Sequence, residues 1–498
     1  MPDSARAPSP PDLSWMKQAA MWGTYAFPLL LCYALAPAEI LLCLIAAAFV
    51  IHSALYRDWS WLRQPWFVLS VVLGADIVLA SACTGSMRAV VQSVLLMRYP
   101  VFVAAMAFWV LTDARDRRRL AATYAGVAIW MVAGSWQQYL CGRNIMGYGR
   151  WEDGALLGPL WAPRAGQALF MTAFPGLMPV IITCAQRRTR GGLLCAGGGL
   201  VLLILTFLLI SQRMPTLLFV FGTLCLALMV RSLRLPFVLA CLIGTGGIAL
   251  SPVVAPQAYN KLVISFEHQM HSFADSPYGM LFIRAGVMVS DHPLVGVGYD
   301  GFRINCPNPA YFRGLPALGI PDGPHGGAPG CNLHPHNYYI QVATMAGVPG
   351  LVLFCLLVIA LLHPMMKGLR VHMGVEQMVM CVLAFVIVWP LQSTSSFSTQ
   401  PTAGWVFIAL GWALAATRGG DRHELVGQGR EKPGGSLTFR SVLHYVAMDS
   451  IASGPTTTHL VADPRRPRQE TETSVIISLP VSKSGPSILS PGGIPHGG

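Results

Sequence analysis

Charged residues are scarce in this chain: Asp, Glu, Lys and Arg make up only 11% of 498 residues, against roughly 25% in an ordinary soluble domain. That deficit excludes a water-exposed globule and points to lipid. Whole stretches carry no charge at all, namely residues 18–38, 40–56, 121–142, 165–186, 191–212, 214–230 and 377–417. A helix needs about 20 apolar residues to cross a bilayer, so most of these runs suffice alone. The last is long enough for two, with Gln392 to Thr402 as a polar hinge. Shorter or singly charged runs at 66–87 (which contains Asp76), 99–112, 236–254 and 342–362 bring the expected number of spans to about twelve.

Other signals are missing too. No 33-to-47-residue repeat of the solenoid kind is found. The net charge of +12 could speak for nucleic acid, but the basic residues follow the membrane instead, and no nucleic-acid partner is expected. With twelve alternating spans, one set of loops holds Arg57, Arg63, Arg115, Arg117, Arg118, Arg119, Arg187, Arg188, Arg190, Arg231, Arg234, Lys367 and Arg370. The other set holds Arg88, Arg98, Arg143, Arg150, Arg164 and Arg213. The richer set belongs inside, which puts both termini in the cytoplasm. Residues 21–36 end in Ala-Leu-Ala and resemble a secretory signal, but another span follows at once, so they read as the first helix.

The expected organisation is an all-α integral membrane protein. Residues 1–17 form an inside N-terminal segment, 18–254 hold helices one to nine with an outside loop near 141–166, and 255–336 form a large outside loop between helices nine and ten. Residues 337–417 hold helices ten to twelve. From 418 to 498 the chain turns polar and rich in Gly, Pro, Ser and Thr, which predicts a disordered inside tail with at most a short helix near 438–448. Of twelve cysteines, ten lie in or beside apolar runs and read as small core residues. Cys306 and Cys331 fall on the large loop, where an oxidising compartment would let them pair; two free thiols is the alternative.

Three segments carry candidate chemistry: Ser211-Gln-Arg213; Arg284 followed by Asp291-His-Pro-Leu-Val-Gly-Val-Gly298; and His334-Pro-His-Asn337. Arg213 sits where two apolar runs meet, near the outer boundary. An arginine there needs a partner or ligand, or snorkels to the headgroups. The apolar spacing around Arg284 predicts a short amphipathic helix on the bilayer that presents its guanidinium to the headgroup plane. Pro293 stops that helix, and Gly296 and Gly298 permit a tight turn. His336 and Asn337 precede a helix that Gly347-Val-Pro-Gly350 ends. The positive end of the helix dipole disfavours imidazolium, so His336 stays neutral and able to accept a proton; equally, Asn337 could cap the helix with His336 packed beside it. His325, His334 and His336, with Asp291 or Asp322, match no closed zinc pattern, and Pro335 leaves the two neighbouring rings free to diverge, so no metal is expected.

In order along the chain, these three segments resemble the bacterial O-antigen ligase and polymerase family of polytopic membrane glycosyltransferases. The sharpest match is His336-Asn337, nine residues, then Gly347-x-x-Gly350. The resemblance covers roughly 190–362 and implies a GT-C-like fold with a large periplasmic loop. It also implies transfer of a glycan from undecaprenyl diphosphate to an acceptor sugar hydroxyl at the periplasmic face of the inner membrane, in lipopolysaccharide or surface-polysaccharide biosynthesis. Donor, acceptor glycan or glycolipid, and membrane lipids are then the partners. The reaction is an inverting displacement without metal or cofactor. The implied catalytic residues are His336, Arg284 and Arg213, with Asn337, Asp291, His292 and Arg164 in substrate binding. The acceptor separates ligase, polymerase and protein O-glycosylation readings. A twelve-helix transporter is the reading from another class, although Asp76 is its one clear mid-span acid.

Overall fold

A computed structural model describes residues 14–316, 319–321, 331, 334–367 and 373–424. The segments expected as a loose N-terminus, as the helix near 438–448 and as most of the tail lie outside the described residues. Helices are the regular elements among the described residues, with no strand among them. The order is α1 (Ser14–Tyr33), α2 (Leu35–Tyr56), α3 (Pro65–Cys83), α4 (Met87–Leu95), α5 (Arg98–Ala105), α6 (Ala114–Cys141), α7 (Ala165–Gln186), α8 (Arg190–Ile210), α9 (Arg213–Met229) and α10 (Arg234–Val254). The shorter α11 (Pro256–Tyr259), α12 (Ser265–His271), α13 (Pro277–Asp291) and α14 (Gly301–Asn305) follow. The last are α15 (Tyr338–Lys367), α16 (Val375–Ile387) and α17 (Thr402–Glu424).

Among the described residues, seven helical segments are long and apolar enough to cross a membrane: α2, α3, Met87–Val110, α7, α8, Arg231–Val254 and Tyr338–Met366. Their outward faces carry large apolar side chains such as Ile40, Leu79, Leu194 and Leu242, all exposed. In water such a surface would be a liability; in lipid it is solvated, which identifies a multi-pass membrane protein.

Helix approach is set by small residues. Gly176 on α7 lies so close to α6 that an added Cβ would meet the backbone nitrogen of Ala125 at 2.3 Å. Without a hydrophobic drive between helices in lipid, such close backbone packing is a main source of association. α16 spans only 13 residues, a rise of about 20 Å. After it the chain runs without helix from Val388 to Pro401 before α17 begins. α15 is interrupted at Ala346 and Gly347, where Gly347 adopts φ 66° and ψ −162°.

Backbone contact between α6 and α7 generates a test. Gly176→Val should reduce the yield of monodisperse protein in detergent and lower its Tm by several degrees, read by thermal size-exclusion. Wild-type stability would show that the helices can separate without cost.

Candidate functional site

One large cavity, about 1720 Å³, collects residues from most of the segments singled out above. Its lining includes Arg150, Asp153 and Arg164 from the α6–α7 connection, Gln212 and Arg213 at the start of α9, and Lys261 and Gln269 from the segment after α10. His334, His336 and Asn337 contribute from the approach to α15, and Ser393 to Ser395, Thr399 and Gln400 from the stretch between α16 and α17.

His336 takes a left-handed backbone conformation, φ 53°, which is uncommon for a residue with a Cβ. The chain thereby curls back, and the rings of His334 and His336 lie with centroids 4.5 Å apart instead of diverging across Pro335. The Tyr278 ring packs edge-on to His336 at 5.2 Å. Burial pushes both imidazoles down, His334 to about 4 with a further contribution from the neighbouring His336. Both rings are therefore neutral near pH 7.

The conformation of His336 is held from both sides. Its carbonyl accepts from the Thr394 N–H at 2.8 Å. Asn337 Oδ1 accepts from the N–H groups of Tyr339 (2.9 Å) and Ile340 (3.2 Å), capping α15. Its Nδ2 donates to the carbonyls of Pro390 (2.7 Å) and Gln392 (3.0 Å). One turn on, Gln341 Nε2 donates to Ser396 Oγ at 2.7 Å. The polar stretch 388–401 is thus a strap laced to the first turn of α15. Its far end is tied by Gln400 Nε2 to Glu39 at 2.7 Å, and Glu39 pairs with Arg98.

Arg213 is held by neutral acceptors. Its Nε donates to the Lys261 carbonyl at 3.0 Å, NH2 shares that carbonyl, and NH1 donates to Gln269. No carboxylate among the described residues ion-pairs with it; Asp153 is engaged by Lys261. Gln212 Nε2 donates to the Pro163 carbonyl and its Oε1 accepts from Gly166 at 3.0 Å, which ties the start of α9 to the Trp161–Arg164 loop.

Arg284 is placed differently from expectation. It is not in the cavity lining but 1% exposed in a satellite core. α13 turns Tyr278 and Phe282 to the cavity, and Arg284, two residues on from Phe282, lies about 200° around the helix. Its NH1 contacts the sulfurs of Cys306 (3.0 Å) and Cys331 (2.9 Å), which form a disulfide with Cα atoms 5.5 Å apart, and its guanidinium sits 4.4 Å over the Phe312 ring. The helix packs in a folded subdomain, not with its arginine at a headgroup plane, because Leu281, Ile283, Val287 and Met288 find a protein core there.

The Asp291–Gly298 segment also stays off the cavity. Asp291 pairs with Arg313, and His292 Nε2 lies 3.4 Å from the Tyr311 hydroxyl. The turn at Gly296 and Gly298, both at positive φ, bonds to the break in α15: Val297 N–H to the Thr344 carbonyl at 2.8 Å, Gly298 N–H to Met345 at 3.0 Å, and Val348 N–H back to Pro293 at 2.7 Å. The motif therefore docks the large loop on α15. Among the described residues no three His, Cys, Asp or Glu side chains gather to hold a metal; His325 and Asp322 lie outside the described residues.

Sequence reading missed the strap as part of the site, although the polar hinge at Gln392 to Thr402 marked it. It also missed Lys261, Gln269 and Tyr278, which no local pattern distinguishes. A test of the lacing follows. Asn337→Asp keeps the oxygen that accepts both capping N–H groups but removes the two donations to the strap, so it should lower stability by about 1–3 kcal/mol, the cost of stranding buried carbonyls. Asn337→Ala should lose roughly 1 kcal/mol more, because the cap also goes. Wild-type stability in Asn337→Asp would mean the strap is held by something else.

Comparison with known proteins agrees with these segments. No curated protein matches the chain. Residues 198–355 match the model of a family described as O-antigen ligase. That span runs from α8 through α15 and includes Arg213, the large loop and the His336-Asn337 pair. Over that span, about a third of the chain, the protein is similar to the O-antigen ligase family, which supports an O-antigen-ligase-like role in polysaccharide biosynthesis.

Proposed function

We propose that this protein transfers a glycan from undecaprenyl diphosphate to a hydroxyl of an acceptor glycolipid or glycan, with His336 as general base and Arg213 as anchor for the diphosphate. The observation that carries the reading is that a neutral histidine and an arginine with no carboxylate partner among the described residues line one cavity. A neutral imidazole can take a proton; a guanidinium held only by carbonyl and amide oxygens keeps its charge for an anion.

The acceptor oxygen attacks the anomeric carbon, its proton passes to a ring nitrogen of His336, and the bond to the diphosphate oxygen breaks with its electron pair leaving on the diphosphate. That is a single displacement with inversion. Negative charge grows on the leaving group as the bond breaks, and Arg213, aided by Arg164 and Lys261 in the same lining, favours that charge. Asn337 fixes the backbone that presents His336. Arg284, with Asp291 and His292, acts at one remove by holding the loop that roofs the cavity. In this reading the seven long apolar helices are joined by α1, α6, α9, α16 and α17 as twelve spans. Both termini face the cytoplasm and the cavity opens at the periplasmic side of the inner membrane.

His336→Ala should reduce transfer by at least about 100-fold, the usual contribution of a general base, with normal protein levels in the membrane. Retained transfer would remove it from the mechanism. Glycan analysis after gene deletion distinguishes the acceptors: loss of attachment to lipid A core indicates a ligase, and loss of chain length a polymerase. Uptake by reconstituted vesicles without transfer would instead favour a transporter.

Acidity gives a second test. Burial holds the folded His336 below the ordinary imidazole value of about 6.5, so the base remains unprotonated to lower pH than a free histidine. The acid limb of the kcat/KM profile should therefore fall with a midpoint under 6.5. A midpoint at or above that value would contradict a buried neutral base.

A further inference from the structure

The strap between α16 and α17 has two faces. Gln392, Ser396 and Ser398 are buried, with Ser396 and Ser398 bonded to Gln341 and to each other. Ser393, Ser395 and Thr399 are half-buried or exposed and line the cavity, which Gln392 and Thr394 also reach, and the hydroxyls of these three have no partner among the described residues. Alternation between 392, 396 and 398 on one side and 393, 395 and 399 on the other is the period of extended backbone.

The cavity lining is divided by charge. Its cations, Arg150, Arg164, Arg213 and Lys261, all come from the chain before residue 262. The strap brings none, and cannot, because no charged residue occurs between 377 and 417. The other polar strap residues in the lining are engaged: Gln400 by Glu39 and the Gly404 N–H, Gln392 by the Ile387 carbonyl, and Thr394 by the Tyr338 hydroxyl.

We propose that Ser393, Ser395 and Thr399 form the acceptor subsite and bind an uncharged, hydroxyl-rich portion of the acceptor sugar; this rests on the glycan-transfer reading above. Serine and threonine hydroxyls both donate and accept, as sugar hydroxyls do, so the two pair without any net charge. A diphosphate gains far more from guanidinium than from a neutral hydroxyl, so the donor's anion settles at the cationic residues and leaves the strap free. Position supports the assignment as well. Thr394, between two of these hydroxyls, donates its N–H to the carbonyl of His336, so an acceptor held there lies beside the base.

The test uses full-length protein in lipid nanodiscs. Two probes are needed: bare undecaprenyl diphosphate for binding, and transfer with lipid-linked glycan and glycolipid acceptor extracted from the native host, with the acceptor titrated. Ser395→Ala/Thr399→Ala should raise the acceptor KM about tenfold, with affinity for undecaprenyl diphosphate within twofold of wild type. Arg213→Ala should do the opposite, weakening undecaprenyl diphosphate binding. Both altered hydroxyls are exposed, so folding is retained, and an unchanged size-exclusion profile checks it; Ser393→Ala alone gives a smaller shift in the same direction. An unchanged acceptor KM, or a loss of undecaprenyl diphosphate affinity equal to that of Arg213→Ala, would overturn the subsite. A wild-type protein that transfers no glycan would overturn the functional reading beneath it, a result distinct from either.

Discussion

Asn337 meets four backbone groups at once: two N–H groups at the start of α15 and two carbonyls of the strap. Helix starts leave N–H groups without partners, and a strap with no helix or sheet of its own leaves carbonyls in the same position. Both deficits fall inside the protein, where an unmet polar group costs a substantial fraction of net stability. A single carboxamide, with an acceptor and two donors, resolves them together. Neither a hydroxyl nor a carboxylate carries that combination, which is why the residue after His336 has so little freedom. The backbone conformation of His336, the strap hydroxyls and the cavity wall between them all depend on this junction.

A second junction locks the large loop to the same helix. The break at Ala346 and Gly347 frees backbone groups in α15, and the Pro293–Gly298 turn bonds to that region. A Cβ on Gly347 would meet the Pro293 carbonyl at 2.5 Å, and one on Gly296 the Thr344 carbonyl at 2.6 Å. Two sequence motifs some fifty residues apart are thus halves of one contact. The disulfide and Arg284 stiffen the loop on its far side. Segments that look like separate chemical signatures in the sequence therefore include one that acts through architecture.

Membrane character was legible because lipid imposes a plain compositional rule, and runs such as 191–212 satisfy it without ambiguity. His336-Asn337 was legible because a polar pair at the start of an apolar helix is conspicuous. Arg284 was misjudged in placement: from periodicity alone, a half-apolar helix can face lipid or a small protein core, and only the partners Cys306, Phe302 and Tyr311 decide. Lys261, Gln269 and Tyr278 were illegible since their roles come from proximity to residues roughly fifty positions away in the chain. The strap lay between these cases. Its polarity was visible as a hinge, but a hinge and a cavity wall have the same composition.

The absence of charge on the strap follows from where it sits. α16 is too short to span about 30 Å of hydrocarbon alone, so the proposed topology puts the chain that follows it at or near membrane depth. Irregular backbone is tolerated there only when buried in protein or lining a polar cavity, and the strap does both through its alternating faces. A charge on its buried face would lack a partner; on the proposed mechanism a cation on its open face would compete with Arg213 for the diphosphate. Uncharged hydroxyls avoid both penalties while still offering hydrogen bonds. On the proposed function, the constraint that lets a broken helix exist in a membrane thus leaves this wall to a neutral, hydroxylated ligand, and the recognition of negative charge to Arg213 and its basic neighbours.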